Sequence, residues 1–243
     1  MGRVLALVYG VAAYLIFFVT FLYSIGFVGN LFVPKSVDSG EIAPFSQALL
    51  INALLLGLFA IQHSVMARPG FKRWWTRIVP KPVERSTYVL LASLVLIVLF
   101  WQWRAMPDVV WNVKNVFGEY LLWAVFVFGW ATVLICTTLI NHSDLFGLRQ
   151  VLLYKNGEEY TELGFKTPFL YKIVRHPMML GFIIAFWATP RMTVGHLMFA
   201  IGTTAYILVA IQLEERDIVD AHGVTYEEYR KQVAMILPIP KRR

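Results

Sequence analysis

Charged residues are absent from five long stretches of this chain: Val4–Pro34, Ile42–Ala67, Ser86–Trp103, Tyr120–Ser143 and Met192–Leu213. A bilayer core of ~30 Å takes about 20 helical residues at 1.5 Å each, so each stretch is long enough to cross a membrane as a helix. A sixth window, His176–Pro190, is shorter and holds Pro177 and Pro190 at its ends. It reads as a short tilted helix or as one arm of a hairpin with the last span. The pattern therefore predicts an all-α, polytopic integral membrane bundle of about six transmembrane helices, the fifth of them short.

The polar intervals give an orientation. Arg3, the 68–85 loop, the 144–175 segment and the tail together carry eighteen of the 22 Lys and Arg residues; the alternate intervals hold only Lys35, Arg104, Lys114 and Arg191. By the positive-inside bias this places both termini in the cytoplasm, and six crossings satisfy that parity. Composition agrees: 58% of residues are hydrophobic and 15% charged, against roughly 45–50% and about 25% in soluble domains. A formal charge of +7 is thereby a membrane signal, and no nucleic-acid partner is expected. The single cysteine, Cys136, lies in an apolar run and offers no disulfide or thiolate metal site. The stretch after Arg3 exceeds a signal-peptide core and lacks a small-x-small cleavage site, so it is expected to remain as the first helix.

The chemistry-bearing residues crowd the C-terminal half. We expect one domain over 1–243, with 1–120 forming N-terminal helices and 121–243 a catalytic half that faces the cytoplasm. In Tyr171-Lys172-Ile173-Val174-Arg175-His176-Pro177-Met178-Met179-Leu180-Gly181, Pro177 is suited to the first turn of a helix. Arg175 and His176 then stand beside free N–H groups, a setting for an anion. The same residues also suit a basic anchor that snorkels to lipid headgroups. Glu214 and Glu215 end the last span; Glu214 suits an ammonium or ribose hydroxyls, while Glu215 or Asp217 suits a pairing with Arg175 or Arg216. A solvated helix exit is the plainer alternative. His222-Gly223 reads as a helix stop, and Thr225 with Glu228 has capping-box spacing. Tyr226, Tyr229 and Val233 share one face of the helix that follows, which Leu237-Pro238-Ile239-Pro240 ends. It is a packing helix or a surface amphipathic one.

Three further polar sites are candidates. Asn141-His142-Ser143-Asp144 closes the fourth span, where His142 suits a general base oriented by Asp144, or an interfacial cap. Lys155-Asn156-Gly157 reads as a turn. Gln62-His63-Ser64, at the same end of the second span, completes a pocket or bonds a neighbouring helix. His196 falls at the opposite end and is expected to be inert. No phosphate loop, zinc motif or serine elbow is present.

Arg175-His176-Pro177, Glu214-Glu215, Gly223, Tyr226, Tyr229 and the closing Leu-Pro together resemble the isoprenylcysteine carboxyl methyltransferase superfamily. Residues 61–68 (IQHSVMAR), 100–103 (FWQW) and 141–150 (NHSDLFGLRQ) are similar to its NnrU-like branch, which includes the bacterial methanethiol S-methyltransferases. The resemblance implies S-adenosylmethionine as cofactor, with S-adenosylhomocysteine as product. It implies cofactor contacts at Tyr171, His176, Pro177 and Glu214, around which we expect further contacts from Arg175, Leu180, Gly181, Glu215, His222, Tyr226 and Tyr229. Catalytic roles fall to His142, Asp144, Arg175 and His176, and a substrate pocket to Gln62, His63 and Met179, with no metal.

Two departures from the superfamily pattern bear on the substrate. Met179 stands where a Tyr is usual, and Val209-Ala210 where an Arg faces the substrate carboxylate. A small neutral thiol such as methanethiol, giving dimethyl sulfide, needs no such cation. The implied setting is a bacterial inner membrane with the site facing the cytoplasm, the bilayer and a thiol as partners, and no obligate protein partner. The alternative within the same branch is haem ligation, with His63 and His142 as the pair.

Overall fold

The computed structural model describes residues 2–238. In chain order the elements are α1 (Arg3–Gly29), α2 (Phe45–Ala67), α3 (Pro69–Trp75), α4 (Lys81–Gln102), β1 (Val109–Asn112), α5 (Val116–Ile140), α6 (His142–Leu145), α7 (Leu148–Asn156), a 3₁₀ turn (Phe169–Lys172), α8 (Pro177–Trp187), β2 (Arg191–Thr193), α9 (Val194–His222) and α10 (Val224–Gln232). Among the described residues, α1, α2, α4, α5 and α9 are each long and apolar enough to cross a membrane. The short apolar helix α8 has 11 residues. Much of the apolar surface stays uncovered: Leu5, Leu15 and Val19 on α1, Leu50 and Leu54 on α2, and Val127 and Phe128 on α5 are all exposed. Such faces match hydrocarbon as solvent, and the protein is a polytopic helical membrane protein.

The chain forms two compact units, residues 1–107 with 141–163, and residues 108–140 with 164–243. The stretch 141–163, expected as part of the catalytic half, groups with the N-terminal helices.

In the first unit the loops are tied by buried polar groups. The Asn52 side chain, fully buried, donates to the Arg104 carbonyl and accepts from the Arg104 N–H, both at 2.9 Å. The Trp103 indole donates to the Val37 carbonyl at 3.1 Å. At the start of α4, Arg85 Nε donates to the Leu145 carbonyl at 2.8 Å and the Ser86 hydroxyl to the Gly147 carbonyl. Gly147 has φ +85, and a Cβ there would stand 2.5 Å from Ser86 Oγ, so conformation and space both require glycine. It opens α7, which packs Val151 against Ala6 and Val83. The turn expected at 155–157 is the C-terminus of this helix, with Gly157 in the left-handed cap.

The second unit is built on α5, α8 and α9. Helices α5 and α8 approach backbone to backbone: a Cβ on Gly129 would lie 2.7 Å from Ala185 N, and one on Gly181 would lie 2.8 Å from the Gly129 carbonyl oxygen. Without a hydrophobic drive in lipid, such small-residue contacts let dispersion and backbone proximity hold helices together. Around them Trp130 sets its ring edge-on to Phe182 and Phe186. Strands β1 and β2 form an antiparallel ribbon joining α5 to the α8–α9 turn. There His196, 1% exposed, hydrogen-bonds the Phe186 carbonyl through Nε2.

This contact yields a test. Gly181→Val should destabilise the protein by roughly 1–3 kcal/mol, the usual range for overpacking, read as a lower thermal midpoint in detergent. An unchanged midpoint would show that α5 and α8 do not depend on this approach.

Candidate active site

The polar residues of the second unit gather where α8 begins and α9 ends. Residues 174–176 run extended beside the tail, with the Arg175 N–H donating to the Ala234 carbonyl at 2.8 Å and the His176 N–H to the Met235 carbonyl at 3.1 Å. Pro177 then occupies the first turn of α8, as its fixed φ and missing donor favour. His176 is the N-cap residue and gives no side-chain cap. The first N–H groups of α8 are therefore left to a ligand or water.

Glu214 and Glu215 are adjacent on α9, so their side chains diverge by about 100° around the helix. Glu215 turns inward, with a side chain only 5% exposed. Its Oε1 accepts from Arg175 Nε at 2.7 Å and from His176 Nε2 at 3.1 Å, and Arg230 Nε approaches Oε2 at 3.4 Å. Tyr226 also lies near this carboxylate. A carboxylate only accepts, so His176 carries its proton on Nε2 and turns Nδ1 to Glu214 Oε2, 3.7 Å away. Glu214 is 44% exposed and keeps acceptor capacity for something outside the protein. The two carboxylates thus do different work: Glu215 is enclosed by donors and Glu214 is presented.

The aromatic residues make the adjoining wall. Phe165 contacts the rings of His222, Tyr226 and Tyr229, each at 5.5 Å between centroids. Tyr226 is 2% exposed, and the Tyr229 hydroxyl donates to the Tyr171 carbonyl. Burial raises the phenol pKa of Tyr226, and the nearby Glu215 charge raises it further. Tyr229, also buried and near the same carboxylate, is pushed up to about 12 despite Arg175. Both stay protonated at neutral pH. Tyr171 lies near the Cys136 thiol, and burial raises its phenol pKa as well.

The structure also gives the surroundings of the other expected residues. Gly181 is a helix–helix contact, and Leu180 and Met179 pack on Ile207, Ile211 and Ile236. The capping box at Thr225 and Glu228 does not form. Gly223, with φ +53, ends α9 and is also the N-cap of α10, so Thr225 is already helical. Val233 lies just past that helix, as its C-cap. Leu237-Pro238 follows it, while Ile239-Pro240 lie outside the described residues. Arg230, Phe165 and the tail carbonyls were missed; nothing local in the sequence marks them.

The remaining candidates belong to the first unit. His142 Nε2 hydrogen-bonds the Tyr14 hydroxyl at 2.9 Å, and burial lowers the imidazole pKa. Asp144 was expected to orient His142; its carboxylate instead takes Arg149 NH1 at 2.9 Å and the Tyr160 hydroxyl at 3.3 Å. Asn141 caps α6 by accepting from the Asp144 N–H. His63 meets the Tyr88 hydroxyl and stacks on Phe59, and Gln62 Nε2 reaches Met66 Sδ. Both histidines proposed as a haem pair are thus engaged by tyrosine hydroxyls, and nothing in the geometry favours the haem reading.

The profile of the NnrU protein family matches residues 49–222, and the chain belongs to that family. It is 60% identical over 242 residues to a methanethiol S-methyltransferase of Mycobacterium tuberculosis, covering 100% of this chain and 99% of that protein. It is 55% identical over 238 residues to a methanethiol S-methyltransferase of Crocosphaera subtropica, covering 98% and 93%. More distantly it is 28% identical over 180 residues to nurim of Rattus norvegicus, covering 70% and 68%. No solved structure matches.

The Asp144 cluster can be tested by itself. Asp144→Ala leaves Arg149 only its Thr161 contacts and releases Tyr160, which should cost about 1–3 kcal/mol and speed protease cleavage between 157 and 163. Cleavage at the wild-type rate would mean that Asp144 does not hold this loop.

Proposed function

We propose that this protein transfers a methyl group from S-adenosylmethionine to a small neutral thiol, with methanethiol giving dimethyl sulfide. The observation that carries the reading is Glu214. It is a half-exposed carboxylate beside His176, the uncapped start of α8 and an aromatic wall, in a chain 60% identical to a methanethiol S-methyltransferase. The cation distribution supports a site that faces the cytoplasm of a bacterial inner membrane.

The residues present fit the cofactor's chemistry. Glu214 suits an ammonium or a ribose diol, and the α8 N–H groups suit a carboxylate. The Phe165, Tyr226 and Tyr229 rings suit a flat base or a sulfonium, the latter by cation–π attraction of roughly 0.5–2 kcal/mol. When bound, S-adenosylmethionine supplies a methyl group already activated on sulfur. The chain then has to orient the two reactants in line and exclude water.

The thiol gives up its proton as the new carbon–sulfur bond forms and the sulfonium bond breaks. His176 already donates to Glu215 and faces Glu214, which suits it to binding. His142, with its lowered pKa, is neutral at pH 7 and is the imidazole suited to accept the proton. Ala210 lies one turn before Glu214 on the same face of α9. A charged substrate carboxylate would find no cation from that position, and a neutral thiol needs none.

The direct test is headspace detection of dimethyl sulfide from membranes given methanethiol and S-adenosylmethionine. No product would refute the proposal. So would a preference for a farnesylated cysteine carboxylate over methanethiol. Glu214→Ala and His176→Ala should each weaken S-adenosylhomocysteine binding, by about 1–3 kcal/mol for a partly buried polar contact. Calorimetry with unchanged affinity in both would remove the cofactor assignment.

His142→Ala should lower turnover by about 10–1,000-fold and leave that affinity intact. A lowered pKa keeps the base neutral further into acid, so the wild-type acid limb should fall below about 6.5. In the variant that limb should vanish, with activity recovering as the thiol ionises at high pH. A deficit that is flat with pH would exclude His142 as the base.

A further inference from the structure

Glu215, on α9, binds two other stretches of chain at one point. Arg175 and His176 come from the strand-like segment before α8, and Arg230 comes from α10. Arg175 is itself shared, since its NH1 donates to the Val233 carbonyl at 2.6 Å and to the Arg230 carbonyl at 3.3 Å. The segment beyond α10 lies along residues 174–176 through two backbone hydrogen bonds, and Ile236 buries against α9. The Tyr229 hydroxyl on the Tyr171 carbonyl is a second strut between the same two parts.

A carboxylate enclosed in this way, with its side chain 5% exposed, presents little surface to a ligand. Its removal leaves the Arg175 guanidinium buried without its partner, and it frees the His176 ring to turn. The same change unties α10 from α9. Ring orientation and tail seating therefore depend on one group.

We infer that Glu215 is a positioning residue that makes the cofactor site conditional on the docking of the tail, residues 224–236. Glu215 holds His176 with Nδ1 toward Glu214 only while α10 supplies the remaining donor, and α10 stays seated only while Glu215 is charged. Cofactor binding and tail docking are then linked, and the linkage is reciprocal. A ligand held by Glu214 and the aromatic wall tightens the tail, and a loosened tail weakens the ligand. This inference rests on the cofactor reading above for the ligand, and on the geometry alone for the tail.

The test is hydrogen–deuterium exchange over residues 224–236 in the full-length protein in detergent, with and without S-adenosylhomocysteine. It is read beside KM for S-adenosylmethionine and kcat. Without ligand, Glu215→Gln should speed exchange of the tail by about tenfold or more, because a neutral amide replaces the charge that holds two guanidinium groups. Arg230→Ala, at a half-exposed position, should do so more mildly and serves if Glu215→Gln fails to fold. Glu214→Gln should leave tail exchange at the wild-type rate while weakening the ligand.

In wild type, the ligand should slow tail exchange and the Arg230→Ala variant should show a raised KM with kcat nearly retained. Tail exchange unchanged in both Glu215→Gln and Arg230→Ala would overturn the inference, whatever the ligand does. Ligand binding to wild type without protection of the tail would overturn it too. Failure of wild type to bind S-adenosylhomocysteine would count against the cofactor reading, and the ligand-free comparison would still decide whether Glu215 holds the tail.

Discussion

A carboxylate buried at the end of an apolar helix must be surrounded by donors, and those of Glu215 come from segments far apart in sequence. Arg175 and His176 lie about 40 residues before it, and Arg230 about 15 after. Burying two charges is costly, and attraction between them offsets that cost only when further hydrogen bonds satisfy what remains. Here Arg175 NH1 donates to tail carbonyls, and His176 and Arg230 bring further N–H groups to the carboxylate. The arrangement fixes where α8 starts, how α10 folds back and which way the His176 ring faces. Each candidate ligand contact in the second unit stands on one of those three.

The rest of that unit makes the cluster affordable in hydrocarbon. Gly129 and Gly181 let α5 and α8 touch along their backbones, which sets α8 against a long helix although it has only 11 residues itself. The isoleucines of α9, with Leu180 and Met179, close the apolar side of the cluster. Phe165 and the two tyrosines close another with ring edges and faces. Charge and aromatic surface are thereby adjacent, the combination that a cationic, partly flat cofactor would match.

The first unit follows a related logic with weaker charges. Single buried side chains such as Asn52 and Trp103 tie loops to helices, and Asp144 organises the 144–161 stretch through Arg149 and Tyr160. Tyr14 holds His142 from the middle of α1. A tyrosine inside an otherwise apolar helix carries no local signal of its partner, because that partner is 128 residues away.

What the sequence determined by itself was whatever depends on solvent and on near neighbours. Charge-free windows give five spanning helices because hydrocarbon tolerates few charges and helices satisfy their own backbone. Pro177 and Gly223 mark a helix start and a helix stop because each acts within one turn. The cluster Arg175-His176-Pro177 with Glu214-Glu215 was legible as a pair of motifs for the same reason. Tertiary structure alone decided which carboxylate is buried, since adjacent residues on a helix differ only in the direction they face. It also moved Asp144 from His142 to Arg149, turned Gly181 into a helix contact, and merged the capping box at Thr225 into a turn shared by two helices. In each case the deciding partner lies on another element, and a hydrogen bond or a close approach between elements leaves no periodicity along the chain.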